Sequence, residues 1–214
     1  MIQFIINHPT FTLIAVAVLA FIYYSWLRPI IVGYIGELLV RLRLKRLDES
    51  SYTVLNDILI KTEEGTTQID HIIVSEYGIF VIETKHMTGK VYATDFGEQW
   101  KVYYGKRCQK LFNPFRQNYG HVKNLESLLS APEETFKPIL VFIKKSRLTL
   151  KRKDIKKNTL LYHTELVKHI RSVTDKCITP EQKLIYLNQI NAANIRNTKN
   201  MHEHVKYVKT KKAE

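Results

Sequence analysis

Cysteine is nearly absent from this chain, whose 214 residues include only Cys108 and Cys177. Two cysteines are too few for a disulfide scaffold or a cysteine-rich zinc module, so both classes are excluded, and we expect two free thiols. The sequence also lacks internal repeats and low-complexity segments. Apolar residues make up 45% of the chain, which excludes a disordered protein and is enough for one core of ordinary domain size.

Charged residues are missing from the whole N-terminal stretch, where the first is Arg28. Residues 11–27 read FTLIAVAVLAFIYYSWL, a nearly unbroken apolar run with three aromatic residues near its end. As a helix this run measures about 26 Å, close to the bilayer core of about 30 Å, and the aromatic residues would form an interfacial belt. We therefore predict a transmembrane helix over 11–27, with residues 1–33 forming the anchor and its linker.

A buried core helix and a cleaved signal peptide are the alternatives for this segment. A signal peptide normally begins with positive charge, which this one lacks, and a core helix usually has a polar face. Basic residues follow the run, namely Arg28, Arg41, Arg43, Lys45 and Arg46. By the positive-inside rule, we expect a single-pass protein of the cell membrane with its N-terminus outside and its C-terminal domain in the cytoplasm.

The positive charge of the chain, +13 in total, is unevenly distributed. Residues 1–136 contain 14 basic and 14 acidic residues, whereas residues 137–214 contain 19 basic and 6 acidic residues. Such an excess of positive charge in one part of the chain indicates a polyanionic partner, either nucleic acid or anionic lipid, although a solubilising surface has the same pattern. We expect a cluster of cations in this region to bind phosphates: Lys144, Lys145, Arg147, Lys151, Arg152 and Lys153.

The pattern after the anchor predicts one α/β domain over 34–197 and a basic C-terminal tail over 198–214. Apolar spacing predicts a first helix over 35–47 with a buried face of Ile35, Leu38, Leu39 and Leu42. Later helices are predicted to begin at the N-caps Asn113 and Thr179 and at Thr164. Strands are predicted at 52–60, 67–74, 79–85, 138–143 and 160–162, with a small meander over 90–112.

Asp70, Glu83 and Lys85 form the combination with the clearest chemistry. Glu83 and Lys85 project from the same face of their strand, and hairpin pairing would bring Asp70 close to them. Two close carboxylates repel each other unless a cation lies between them, and their oxygen atoms suit Mg²⁺. A surface salt bridge between Glu83 and Lys85 is the simpler interpretation, but both strands have the apolar pattern of buried strands.

The segment TQIDHIIVSEYGIFVIETKHMTG, residues 67–89, resembles the central signature of the nuclease-related domain (NERD) family. The resemblance extends upstream to Gly36-Glu37 and downstream through an N-P-x-x-Q-x-x-x-H block at 113–121 to the PILVF strand. It therefore covers roughly residues 34–145. What it implies is a restriction-endonuclease-like, PD-(D/E)xK fold with an αβββαβ core, in which the meander is an insertion.

The resemblance also implies a role for each matching residue. Three residues would bind Mg²⁺ or Mn²⁺: Asp70, Glu83 and the backbone carbonyl of Thr84. Lys85 would be the catalytic lysine, and Glu37 would support the metal site from the first helix. Gln117 would face the same cleft, and Gln68 would contact the scissile phosphate.

Two functions remain open from the sequence. The first is a membrane-anchored, Mg²⁺-dependent endonuclease that hydrolyses phosphodiester bonds in DNA. The second is a non-catalytic module, tethered to the membrane, that binds nucleic acid or a protein partner. The presence of Asp70, Glu83 and Lys85 together favours the first, because a module without catalysis need not keep all three.

Overall fold

The computed structural model describes residues 9–143, 147–149, 155 and 158–211. Within these ranges the chain forms six α-helices and two mixed sheets. The helices are α1 (Pro9–Ile22), α2 (Arg28–Leu44), α3 (Pro114–Leu129), α4 (Leu166–Ser172), α5 (Pro180–Ala193) and α6 (Thr198–Lys211). The strands are β1 (Tyr52–Thr62), β2 (Gly65–Ser75), β3 (Gly78–Lys85), β4 (Lys90–Tyr92), β5 (Gln99–Tyr104), β6 (Arg107–Phe112), β7 (Phe136–Phe142), β8 (Arg147–Leu148) and β9 (Thr159–Tyr162).

The main sheet has the strand order β1-β2-β3-β7-β9. Tight turns ending at Gly65 and Gly78 make β1, β2 and β3 antiparallel neighbours, whereas β7 and β9 run parallel to β3. A parallel neighbour requires a crossover, and α3 supplies the one between β3 and β7. The order α2-β1-β2-β3-α3-β7 is consistent with the α/β nuclease-like core expected from the sequence.

Helices cover both faces of the main sheet, which explains the continuous apolar run at the start of β3. One face packs against α3 and α5 in a cluster that includes Ile72, Val81, Leu125 and Ile190. The opposite face packs against α2 and α4 in a cluster that includes Val40, Phe80, Val141 and Ile170. The central strand β3 is therefore enclosed except at its C-terminal end, where the apolar sequence gives way to Glu-Thr-Lys.

The predicted meander forms a second sheet of strand order β6-β5-β4-β8. It is inserted between β3 and α3, and β8 joins it in parallel to β4. Its inner face is held by Trp100, whose ring lies 5.4 Å from that of Phe115 and 6.4 Å from that of Phe142, measured between centroids. These contacts fix the second sheet next to the C-terminal end of the main sheet.

Both predicted N-caps are confirmed. Asn113 accepts a hydrogen bond from the backbone N–H of Phe115, 2.9 Å away, and Thr179 forms a capping box with Gln182. The predicted buried face of the first helix is wrong, because Leu42 is 51% exposed while Val40 is fully buried. The face that packs on the sheet instead contains Val40, Leu44 and, just beyond the helix, Leu47, which are buried in the cluster with Phe80 and Val141. Residues 198–211 of the predicted tail form α6.

The N-terminal helix stands apart from this core. Residues Thr10–Leu27 form a window of 18 residues with a mean hydropathy of 1.9, and none of them is buried. The segment runs through α1 and a π-helical stretch at Tyr23–Leu27 directly into α2. An apolar helix with no buried residue is not part of the core of this domain, which leaves a membrane span or a signal sequence.

Candidate active site

The candidate site lies where the strands β2 and β3 separate. Their ladder ends at the pair His71↔Ile82, and the same register places Asp70 beside Glu83. Beyond this point the backbone N–H of Thr84 donates a hydrogen bond of 2.7 Å to Asp70 Oδ2 in place of a ladder bond. The aspartate thus occupies the fork between two strands, close to the glutamate of the neighbouring strand.

Glu83 is the centre of a buried ion-pair network. Its side chain is 2% exposed, and the ammonium of Lys85 donates a hydrogen bond to Glu83 Oε1. His121 Nε2 lies 3.2 Å from the second carboxylate oxygen, Glu83 Oε2. Lys85 Nζ also donates to Gln117 Oε1 at 3.2 Å. Two of the predicted residues therefore meet directly, and Gln117 joins them through the lysine.

Helix α3 brings Gln117 and His121 to this network. The two residues are four apart, so they lie on the same face of the helix, one turn from each other. Asn118 anchors that face by donating hydrogen bonds to the carbonyl oxygens of Val81 and Ile139 on the adjacent strands β3 and β7. The N-terminal part of α3, which carries Gln117 and His121, is therefore held in a fixed position beside β3, the strand that carries Glu83.

His121 and Thr67 belong to this network but were not among the site residues predicted from the sequence. Thr67 Oγ1 lies 2.8 Å from His121 Nδ1, so the ring is held between Thr67 on β2 and Glu83 on β3. His121 is the last residue of the N-P-x-x-Q-x-x-x-H block, and its i+4 spacing from Gln117 was the available signal. The contact with Thr67 depends on the packing of α3 against β2 and had no signal in the sequence.

The ionisable groups at the site influence each other strongly. Burial and the carboxylate of Glu83 raise the pKa of Asp70 well above its usual range. Burial alone would also raise the pKa of Glu83, but Lys85 and His121 hold it at about 2. Burial opposes the charge of Lys85, yet Glu83 and Asp70 raise its pKa above the usual value. Near neutral pH the site therefore contains a charged Glu83–Lys85 pair beside an aspartate that is unusually easy to protonate.

Glu37 on α2 lies close enough to the site to interact electrostatically with Glu83 and Asp70. Burial raises the pKa of Glu37, and the carboxylates of Asp57 and Glu83 raise it further. Gly36 allows this approach, because a Cβ atom there would lie 2.7 Å from Cβ of His86, the residue after β3. His86 in turn contacts the first part of α2, with its Nδ1 2.7 Å from the carbonyl oxygen of Val32.

Asp57 on β1 is a further acidic residue at the same level of the main sheet as Asp70. It was not among the site residues predicted from the sequence. The register of β1 and β2 places it opposite Asp70, but its backbone is in the left-handed region with φ of 56°, and it forms no ladder pair. Its Oδ2 lies 2.5 Å from Arg41 Nη2 and 3.1 Å from Arg196 Nη1. This ion-pair cluster ties α2, one turn after Glu37, to the end of the main sheet.

Among the remaining predicted residues, the structure describes Gln68 and Arg147. Gln68 pairs with Leu59 in the β1–β2 ladder, and within the described part of the chain it forms no hydrogen bond or ion pair with the site residues. Arg147 belongs to β8 in the second sheet. The other predicted phosphate-binding cations, Lys144, Lys145, Lys151, Arg152 and Lys153, lie outside the described residues.

The donor set at the fork fits a hard divalent cation, although the protein alone does not complete a site. Across residues 9–143, 147–149, 155 and 158–211, no three His, Cys, Asp or Glu side chains are grouped to hold a metal. Mg²⁺ usually keeps several waters and binds one or two carboxylates together with substrate phosphates. Asp70 and Glu83 supply that number of carboxylates, and a cation between them would relieve the repulsion that raises the pKa of Asp70.

Comparisons with known proteins identify the family of this chain. An uncharacterized protein of Bacillus anthracis is 36% identical over 182 residues, which cover 84% of this chain and 84% of the relative. No solved structure matches the chain. The sequence profile of the family described as Nuclease-related domain matches residues 32–143, which include most of α2, the first three strands, the second-sheet strands β4–β6, α3 and β7. The chain therefore belongs to the nuclease-related domain family.

Proposed function

We propose that this protein is a metal-dependent nuclease that hydrolyses phosphodiester bonds in DNA at the Asp70–Glu83–Lys85 site. The observation that carries the proposal is the buried Glu83–Lys85 ion pair beside Asp70, at the open end of the central strand. Burying two carboxylates and an ammonium is costly, and a fold without a use for them is more stable with apolar residues of similar size. The family membership supports the same class of function.

Each residue of the network has a distinct role in this proposal. Lys85 remains protonated, because its acidic neighbours raise its pKa, and so it orients the attacking water and stabilises negative charge on the phosphate instead of accepting a proton. Gln117 and Glu83 hold the ammonium of Lys85 in place. His121 fixes the second oxygen of Glu83 and thereby the orientation of its carboxylate.

Asp70, Glu83 and the Thr84 carbonyl are the proposed ligands for Mg²⁺ or Mn²⁺. When bound, such a cation supplies Lewis acidity next to the scissile phosphate. Asp70 would have to be ionised to serve as a ligand, and because its pKa is raised, metal binding would strengthen as the pH rises. Glu37 lies close enough to raise the pKa of Asp70, and it would add a third negative charge beside the cation from α2.

The N-terminal segment is proposed to tether the nuclease to the cell membrane, with residues 1–33 as anchor and linker and the domain over 34–197 in the cytoplasm. The apolar window Thr10–Leu27 is long enough to cross a bilayer, and its residues are exposed. Basic residues follow it on α2, which favours an outside N-terminus. Because α1 continues through the π-helical stretch into α2, Glu37 would lie about 15 Å beyond the end of the span at Leu27.

The test is a cleavage assay with full-length protein in detergent. Supercoiled plasmid and labelled DNA and RNA strands are incubated with Mg²⁺, Mn²⁺ or a chelator. We expect Mg²⁺-dependent cleavage of DNA and a loss of roughly 100-fold or more in Asp70→Asn. Glu63→Gln, which neutralises an exposed carboxylate in the β1–β2 turn, is the matched control and should cleave normally. Equal rates for wild type and Asp70→Asn would refute the proposal.

A non-catalytic module that binds nucleic acid or a protein partner is the second candidate. One observation favours it, because within the described residues the acidic side chains do not form a complete metal site. In that case the chain would bind the same nucleic acid with and without Mg²⁺ and cleave none of the substrates.

A further inference from the structure

We propose that the outer face of the second sheet binds single-stranded nucleic acid, with its aromatic rings on the bases and its cations on the phosphates. The proposal rests on the proposed nuclease function, because it names the substrate class of the same domain. It concerns the face of β4, β5, β6 and β8 that points away from the core.

The strand register defines this face. Residues directly opposite each other in a ladder project from the same side of a sheet. The outward pairs are Lys90↔Tyr103, Tyr92↔Lys101, Lys101↔Lys110, Tyr103↔Cys108, Gln99↔Phe112 and Lys90↔Arg147. The face thus carries cations and aromatic rings as neighbours along and across its strands.

The composition of the outer face favours nucleic acid over a membrane. None of these outward positions carries an acidic or an aliphatic side chain. The aliphatic residues Val91, Val102 and Leu111 alternate to the opposite side, where they pack into the core. A membrane-contacting face needs aliphatic side chains to enter the lipid, whereas aromatic rings among cations suit stacked bases and their phosphates.

A groove of about 590 Å³ lies on this face where β4, β5 and β8 meet, and its lining includes Lys90, Tyr92, Tyr103 and Arg147. The ring of Tyr92 is 41% exposed and meets that of Tyr103 edge to face, with centroids 5.2 Å apart. Lys90 Nζ lies 4.8 Å from the centre of the Tyr92 ring. The flexible stem of Lys90 allows its ammonium to move from the ring to a phosphate when a base stacks there.

Gly89 keeps the end of the groove free of side chains. Its φ of 115° lies in the region that favours glycine, and a Cβ atom there would lie 2.6 Å from the carbonyl oxygen of Tyr103. Its own carbonyl accepts a hydrogen bond of 3.1 Å from the backbone N–H of Arg147. The groove is therefore built on a backbone that hydrogen bonds hold in place.

The face is connected to the candidate active site at both ends. Only residues 86–89 separate Lys85 from Lys90, so their Cα atoms are at most about 18 Å apart. Phe112, which is 51% exposed at the other end of the face, precedes Gln117 by five residues. A single strand bound along the face can therefore continue toward the fork that holds Glu83.

Cysteine protection tests the proposal in the wild-type chain, because Cys108 lies on the face and is exposed. Cys177 is also exposed, but its backbone bonds to Glu76 at the far end of the main sheet, and so it serves as an internal control. Full-length protein is placed in phosphatidylcholine nanodiscs, and its cysteines are alkylated in the presence of a metal chelator. The rate of alkylation is compared for the protein alone, with a 20-mer of thymidine and with duplex DNA. We expect the single strand to slow alkylation of Cys108 at least fivefold, duplex to slow it less, and neither to affect Cys177.

Substitutions on the face distinguish the contribution of base stacking to binding from the contribution of its positive charges. Tyr92→Ala should weaken binding of the 20-mer about 5- to 100-fold, and Tyr92→Phe, which keeps the ring, should bind normally. Lys101→Gln with Lys110→Gln should lower the slope of log affinity against log salt by roughly 0.7 for each phosphate that the variant no longer neutralises. The control Lys61→Gln with Lys168→Gln removes two exposed lysines elsewhere and should leave the slope unchanged.

Three results overturn this inference: no protection of Cys108, equal protection of both cysteines, or equal affinity of Tyr92→Ala and wild type. Protection of Cys108 by phosphatidylserine in the nanodisc, but not by the 20-mer, also overturns it and identifies the face as a membrane surface. Because binding is measured without metal, the outcome is independent of cleavage. Protection without cleavage contradicts only the nuclease proposal, and cleavage without protection contradicts only this one.

Discussion

Removal of one member of the Glu83–Lys85 pair should destabilise the fold about as much as removal of both. In Lys85→Met, Glu83 remains 2% exposed, with His121 as its remaining partner, and its pKa rises from about 2. A rise back to the usual 4.5 corresponds to about 3 kcal/mol at pH 7, at about 1.4 kcal/mol per unit. Because His121 and Asp70 stay nearby, we expect each single loss, Lys85→Met or Glu83→Gln, to cost about 2–3 kcal/mol.

The assay is a double-mutant cycle. Urea unfolding of the full-length chain in detergent is followed by fluorescence of the buried Trp100 at pH 7, for wild type, Lys85→Met, Glu83→Gln and the double variant. The double variant should cost about as much as one single variant, which corresponds to a coupling energy of about 2 kcal/mol. Because the pKa of Glu83 is lower in the folded chain than the usual 4.5, its ionised carboxylate stabilises the fold above pH 4.5, and this contribution is lost as the pH falls toward 2. The free energy of unfolding of the wild type should therefore decrease over this range, and that of Lys85→Met should decrease less. Additive single effects would refute the buried ion pair.

Three further predictions concern stability. Burial lowers the pKa of His71 to about 4, so the unfolded chain binds the proton first, and the free energy of unfolding should fall by up to about 3 kcal/mol between pH 6.5 and 4. In His71→Gln, urea midpoints at pH 7 and 5 should differ less than in wild type, and an unchanged difference contradicts this. Asp57→Asn removes the carboxylate shared by Arg41 and Arg196 and should lower the urea midpoint, whereas a midpoint equal to wild type means that the cluster adds no stability. Thr179→Ala removes the capping box of α5 and should cost about 0.5–2 kcal/mol in the same assay, with no change counting against the cap.

Much of the fold was predictable because its signals are local. Turn glycines and alternating apolar residues define the hairpins, and the side chains of Asn113 and Thr179 start their helices in the structure as the sequence indicates. The fork of β2 and β3 also follows from the sequence in outline, since Asp70 and Glu83 interrupt apolar strands. The prediction of a contact between Glu83 and Lys85 needed only the two-residue period of a strand.

Other features depend on tertiary packing and had no local signal. The buried stripe of α2 was mispredicted because Leu42 and Val40 are both apolar, and only the packing of the helix on the main sheet decides which of them is buried. The contact of His121 with Thr67 joins residues 54 positions apart. The same holds for the outer face of the second sheet, since its composition becomes visible only when the register of four strands is known.

The most direct test of the account is the single-turnover rate of DNA cleavage by Lys85→Met, compared with wild type and with Lys61→Met, which replaces an exposed lysine on β1. All three are measured as full-length proteins in Mg²⁺, under conditions in which unfolding curves show each variant to be folded. The account predicts that Lys85→Met is roughly 100-fold slower or worse, because it lacks the buried ammonium that faces the phosphate, while Lys61→Met keeps the wild-type rate. Cleavage by folded Lys85→Met at the wild-type rate would contradict the assignment of this site as the catalytic centre.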